Sequence, residues 1–211
     1  MKIILASKSP RRKEILENLG ISFKIITADT DESSDTVSPR ELVSELSLKK
    51  GLAVARLIST DRDICPHNES VYVISSDTVV AMGNEILGKP KDRSDAERML
   101  KMLSGNVHSV FSGIAVTEIS NGKIVKSFAS AEETSVVFSK MSDRDIDFYI
   151  ENENIYDKAG AYAIQGIASA WIDRIEGDYN NVVGLPVRCM FKLFLEKFFV
   201  TPYDLLGSSE K

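Results

Sequence analysis

Val107-His-Ser-Val-Phe-Ser-Gly-Ile-Ala-Val-Thr-Glu-Ile-Ser-Asn121-Gly122-Lys-Ile-Val-Lys-Ser-Phe-Ala-Ser-Ala-Glu-Glu-Thr-Ser-Val-Val-Phe138 decides the fold class. β-Branched and aromatic residues fill both arms, which predicts strands over 107–119 and 123–138. Asn121-Gly122 between them is the strongest hairpin signal in the chain, because both residues tolerate the positive φ of a tight turn. Adjacent strands joined by so short a turn must run antiparallel, which excludes an all-parallel doubly wound sheet. A second hairpin is expected at Gly83-Asn84.

Helical patterns surround these strands. At the start, Ile3 to Ala6 reads as a short buried strand. Ser9-Pro10 then opens a helix that carries Ile15, Leu16 and Leu19 on one face and ends at Gly20. Strand resumes at Phe23 to Ile26, and Ser38-Pro39 opens a second helix to about Leu57. After the polar loop 59–70, strand is expected at Val71–Ile74 and again at Val79–Ala81. Further helices are predicted at 94–103, after Ser142, and from Pro186 to Phe199, with a strand near 170–175. The tail 201–211 is expected to fray. The fold expected is α/β, with a mixed curved β-sheet and flanking helices.

The chain has 211 residues, a formal net charge of −5, 43% hydrophobic and 27% charged residues. That composition is globular, and a chain of this length buries roughly 70% of its unfolded surface without a disulfide or metal staple. Net acidity argues against dedicated nucleic-acid binding. No stretch approaches the length of a membrane span, and the apolar start is cut short at Ser7 by Lys8, Arg11, Arg12 and Lys13. Cys65 and Cys189 form no CxxC pair, which suits a reducing, cytoplasmic setting. The expectation is a soluble cytoplasmic protein with neither a nucleic-acid nor a membrane partner.

Several residues sit oddly for a purely structural role. Arg11, Arg12 and Lys13 place positive charge at a helix N-terminus, where the dipole favours anions. A bound anion would reconcile them, with Ser7 and Ser9 adding hydroxyls; a solvated charge run is the other reading. Lys50 interrupts the apolar stripe Val43, Leu46, Ala53 and Leu57, so it either snorkels outward or points an ammonium into a cleft. Asp77 lies between the apolar runs 71–74 and 79–80, where a carboxylate must be paired, hydrogen-bonded or metal-bound. It either closes the strand in an Asx-type turn or holds a cation or a water.

Lys89 is presented in extended form before Pro90. Gln165, in a Gly-flanked apolar stretch, could meet a nucleobase edge or be satisfied by backbone. Asp29, Asp31 and Glu32 read as an acidic loop, with metal ligation as the alternative. No Ser-His-Asp triad or Cys-His pair is evident. The residues alone lead to metal-assisted chemistry on a nucleotide or another phosphoanhydride.

The motifs Leu5-Ala-Ser-Lys-Ser-Pro-Arg-Arg-Lys-Glu-Ile-Leu16, Ser76-Asp-Thr-Val-Val80 and Gly88-Lys-Pro-Lys-Asp92 resemble the Maf family of nucleoside triphosphate pyrophosphatases. So do Leu103-Ser-Gly105 through Ser112-Gly113, Asp157-Lys-Ala-Gly-Ala-Tyr-Ala-Ile-Gln-Gly166 and Asn181-Val-Val-Gly-Leu-Pro186, which follow in family order over nearly the whole chain.

The resemblance implies a two-lobed fold around a central cleft, related to inosine-triphosphate pyrophosphatases, within a single domain 1–200 followed by the tail. It implies hydrolysis of dTTP and UTP to the monophosphate and pyrophosphate, dependent on Mg²⁺ or Mn²⁺. Asp77 would be the catalytic carboxylate, and Ser7, Arg11, Arg12, Lys50 and Lys89 would line the triphosphate site. Arg11, Thr78 and Gln165 match positions tied to substrate choice, and Asp31 would join Asp77 at the metal. A homodimer is compatible with the resemblance. Two further readings stay open: the same reaction on modified pyrimidine nucleotides such as 5-methyl-UTP and pseudo-UTP, and a nucleotide-binding regulator of division or septum formation.

Overall fold

The computed structural model describes residues 1–207. Within them the elements run β1 (Lys2–Leu5), α1 (Pro10–Asn18), β2 (Lys24–Ile25), α2 (Pro39–Ile58), β3 (Ser70–Met82) and β4 (Glu85–Leu87). They continue with α3 (Arg93–Leu103), β5 (Val107–Ser120), β6 (Lys123–Phe138), α4 (Asp143–Asn152), β7 (Ile172–Glu176), α5 (Tyr179–Val183), α6 (Val187–Leu193) and α7 (Pro202–Leu206). Among the described residues the strands form one seven-stranded mixed sheet in the order β2-β1-β3-β5-β6-β7, with β4 on β3. This is the mixed α/β fold expected. Asn121 and Gly122 take φ of 51° and 74°, as the hairpin reading required.

The chain divides into two compact units. The first comprises Met1–Asp77, Ser112–Glu132 and Gly184 onward. In it β1 pairs in parallel with both β2 and β3, with Ile4 opposite Lys24 and Val73. Ile4, Ala6, Val54, Ala55, Ile58, Cys65, Val71, Val73 and Ile119 form a core between strands and α2. Helix α2 lies close on β5 because Gly113 has no side chain: a Cβ there would sit 2.0 Å from the Val43 carbonyl oxygen.

The second unit comprises Thr78–Phe111 and Glu133–Val183. Antiparallel pairing of β3 with β4 and of β6 with β7 frames it. Its core gathers Met99, Leu100 and Leu103 of α3 with Ile146, Tyr149 and Ile150 of α4, and with Phe138 and Tyr162.

The structure departs from the sequence reading in several places. Strand β3 runs unbroken through Ser75, Ser76 and Asp77, so Asp77 closes no turn. Its polar run is tolerated because the hydroxyls find carbonyls: Ser75 Oγ donates to Ser47 O at 2.7 Å, and Ser76 Oγ lies 2.6 Å from Gly113 O. Pro10 opens α1 as expected, but the Ser9 hydroxyl makes no cap bond. Helix α3 starts one residue before Ser94, capped by Asp92, whose carboxylate accepts Asp95 N–H at 2.8 Å. Helix α6 runs on into a π turn, Phe194–Phe198, where one helix from Pro186 to Phe199 is expected. Thr201 to Leu206 does not fray: Thr201 and Asp204 form a reciprocal capping box. Residues 208–211 of the expected tail lie outside the described residues. Among those described, no helix is long and apolar enough to cross a membrane.

Candidate active site

The first unit assembles four of the expected residues. Asp77 is 9% exposed on β3, and its Oδ1 lies 2.5 Å from the Lys50 ammonium of α2. The same ammonium lies 3.1 Å from Glu32 Oε1. Lys50 therefore neither snorkels into solvent nor interrupts the buried stripe. The core face of α2 runs through Val43, Ser47, Gly51, Val54 and Ile58, while Leu57 is 58% exposed. Small residues carry that face past Ser75, and Lys50 emerges on its flank.

Arg12, on the first turn of α1, is fixed on three acceptors. Its Nε donates to Gly184 O at 2.8 Å, and its Nη1 to Ser76 O at 2.7 Å and Ser7 Oγ at 3.3 Å. Burial pushes this guanidinium down from its ordinary value, and the Asp77 charge opposes that shift. The group stays charged. Ser7 is buried, and its oxygen accepts both this bond and the Ser9 N–H at 3.2 Å. With both lone pairs engaged, its hydroxyl hydrogen is available to an anion. Arg11 follows Pro10 on the same turn and adds a second positive charge beside Arg12.

Asp31 is not part of this arrangement. It accepts the Ser33 N–H at 2.9 Å, and Ser33's hydrogen bonds, the hydroxyl's first, hold its carboxyl below the usual range. The acidic side chain that reaches Lys50 is its neighbour Glu32. Two adjacent acids in an irregular loop share no periodicity, so nothing local distinguishes one from the other.

The other expected residues belong to the second unit. Thr78 follows Asp77 on β3 and is half-buried. Lys89 is exposed in the β4–α3 connection, just before buried Pro90. Gln165 is half-buried at the start of a 3₁₀ turn, Gly166–Trp171, and among the described residues no backbone group satisfies its amide. The segment that carries it is pinned two residues to either side: Ala163 N–H donates to Tyr149 Oη at 3.3 Å, and Ile167 N–H to Glu153 Oε1 at 3.4 Å.

The donor set in the first unit suits a small divalent cation. Two carboxylates, Asp77 and Glu32, converge on one positive charge, the Lys50 ammonium, which marks where a cation is stable. Among the described residues no group of three or more His, Cys, Asp or Glu gathers to cage a metal. Mg²⁺ suits such a site, since it takes one or two carboxylates and completes its shell with water and phosphate oxygens.

Half-buried cations, a hydroxyl donor and a strand carboxylate, set in a mixed α/β sheet, are groups that suit a phosphorylated anion. The chain belongs to the Maf-like protein family, which matches over residues 2–197. A dTTP/UTP pyrophosphatase of Thermoanaerobacter sp. (strain X514) is 44% identical over 200 residues, covering 95% of this chain and 98% of its own. That of Caldanaerobacter subterraneus subsp. tengcongensis is 46% identical, covering 95% and 91%, and that of Clostridioides difficile 44%, covering 94% and 96%. A solved nucleoside-triphosphatase / dITP/XTP pyrophosphatase from Mycobacterium abscessus aligns at 12% identity and a TM-score of 0.36, over 67% of this chain and 76% of that one.

Proposed function

We infer that this protein is a nucleoside triphosphate pyrophosphatase that cleaves dTTP and UTP to the monophosphate and pyrophosphate. The observation that carries the reading is the Asp77–Lys50–Glu32 constellation beside Arg12 and Ser7, in a chain whose relatives bear that activity in their names. Arg11, Arg12 and Lys50 would offset the charge of the triphosphate, with the Ser7 hydroxyl donating to a phosphate oxygen. Within the second unit, Lys89 would offer a cation to a phosphate, and the unsatisfied Gln165 amide would pair with the carbonyl and N–H of a uracil or thymine edge.

Asp77 and Glu32 would hold the divalent ion, Mg²⁺ or Mn²⁺. When bound, it supplies Lewis-acid stabilisation of phosphate oxygens. Asp77 acts at its carboxylate oxygens: it orients a water and takes its proton as the water oxygen bonds to the α-phosphorus. The bond from that phosphorus to the bridging oxygen breaks, and pyrophosphate leaves with the electron pair. A reducing cytoplasm suits two buried free thiols, Cys65 and Cys189.

The test is a nucleotide panel with Mg²⁺ or Mn²⁺, with pyrophosphate and orthophosphate measured separately. Pyrophosphate release concentrated on dTTP and UTP is the expected result. Release from purine nucleotides alone would refute the substrate assignment, and orthophosphate in place of pyrophosphate would refute the reaction.

A further inference from the structure

The acidic loop that carries Glu32 has no regular structure between β2 and α2, yet two side chains of α2, one turn apart, hold it. Glu45 Oε2 accepts from Ser34 Oγ at 2.8 Å and from Thr36 Oγ1 at 2.7 Å. One turn further along α2, Lys49 pairs with Glu45 Oε1 at 2.6 Å and donates to the Ser33 carbonyl at 2.9 Å. Within the loop, Thr36 N–H closes on Ser34 Oγ at 3.1 Å and Ser33 N–H on Asp31. Every residue from Ser33 to Thr36 except Asp35 is thus fastened, directly or through Glu45, to one turn of α2. The next residue of that helix is Lys50, and the residue just before the fastened segment is Glu32. The Lys49 and hydroxyl bonds hold the Glu45 carboxyl down to about 2, so it stays an anion at any working pH.

We propose that Glu45 is a positioning residue for Glu32: by fastening the Ser33–Thr36 segment to α2, it holds the Glu32 carboxylate at Lys50 and ready for the divalent ion. The inference rests on the metal role read for Glu32 above. A carboxylate on a loose loop must be ordered each time a cation binds, whereas one on a fastened loop is ordered in advance. Outer partners of metal-holding groups act in this way, and their loss typically lowers metal affinity about 10- to 100-fold.

The experiment compares binding of α,β-imido-dUTP with Mn²⁺ present and with EDTA present, by calorimetry, in the full-length protein. Glu45→Ala is expected to weaken binding about 10-fold with Mn²⁺ and to leave metal-free binding unchanged. Removing the donors instead, in the double variant Ser34→Ala/Thr36→Val, should do the same from the loop side. Glu45→Gln, which keeps an acceptor oxygen, should recover part of the loss. In the Glu32→Gln background, Glu45→Ala should add nothing.

Equal losses with and without metal would show a merely structural role and overturn the proposal. Glu32→Gln is measured alongside to separate two failures. If Glu32→Gln weakens the Mn²⁺ complex and Glu45→Ala does not, the metal reading stands and the positioning role falls. If Glu32→Gln has no effect, both fall.

Discussion

Around Asp77, in the first unit, charged side chains face one another. Asp77 meets Lys50, Lys50 meets Glu32, and Arg12 is spent on the carbonyls of Ser76 and Gly184. The second unit keeps a buried ammonium, Lys158, against Asp157, but its buried His108 sits in a neutral pair: His108 Nε2 lies 2.7 Å from Tyr162 Oη, among Phe138 and other apolar side chains. Its other nitrogen, Nδ1, is buried with no partner among the described residues. Burial alone pushes the His108 imidazole down to about 4. Ions are kept where opposite charges and backbone dipoles face them; where nothing faces them, the same burial forces neutrality. The two clusters should therefore respond differently to mutation and to acid.

Asp77→Asn should have the largest effect. It keeps the shape and removes the base, and general-base removal costs roughly 10²- to 10⁴-fold in rate. Pyrophosphate release measured against nucleotide binding checks it, and binding should survive. A variant that retained most of its rate would dissolve the distinction between an ionic, reactive cluster and an inert one.

Acid should act on the second unit next. The folded state holds His108 neutral, while the unfolded chain takes up its proton near the ordinary value of 6.5. As pH falls from there towards 4, the unfolded state binds the extra proton and stability is lost, by about 3 kcal/mol in all at 1.4 kcal/mol per unit. Urea melts from pH 8 to 4 would show it. His108→Phe/Tyr162→Phe removes both partners together, so it should flatten that slope while changing stability little at pH 8.

Arg12→Met should follow. It removes one donor from each of two carbonyls and should lower stability by about 2 kcal/mol, read as a shift of the urea midpoint. Activity should fall as well, in contrast to the His108 and Tyr162 pair, whose loss should spare it. The smallest effect is expected from Gln165→Glu, which swaps the amide donor for an acceptor. Discrimination for dTTP and UTP over other nucleotides should drop about 10-fold, or 1.4 kcal/mol, in kcat/KM.

Much of the molecule could be read in advance because its signals are local. The Asn121-Gly122 turn, the Pro10 and Pro39 helix starts and the apolar strands all follow from neighbouring residues. Arg12, Lys50 and Asp77 stand out because each violates a local expectation, Ser7 accompanies the basic turn, and these four are the ones brought together. What escaped depends on partners distant in sequence. Nothing near Ser76 reveals the carbonyls of Gly113 and Gly184 that let it sit inside a strand. The face of α2 was misjudged because hydrophobicity passes over Ser47 and Gly51, which pack as core by being small. The Thr201–Asp204 box was visible as a spacing but lay where termini usually fray.

The bond from Arg12 to Gly184 spans 172 positions of sequence. The first unit is likewise stitched from three separated stretches, the last of which begins at Gly184. During synthesis from the N-terminus, the basic turn and the strand carboxylate leave the ribosome early, but the carbonyl that fixes Arg12 arrives last. Long-range closure of this kind slows folding. It also means that a nascent chain, or one cut short before residue 184, holds every reactive side chain of the first unit without the frame that aligns them. The alignment of the basic turn therefore waits for the last stretch of the unit to be made.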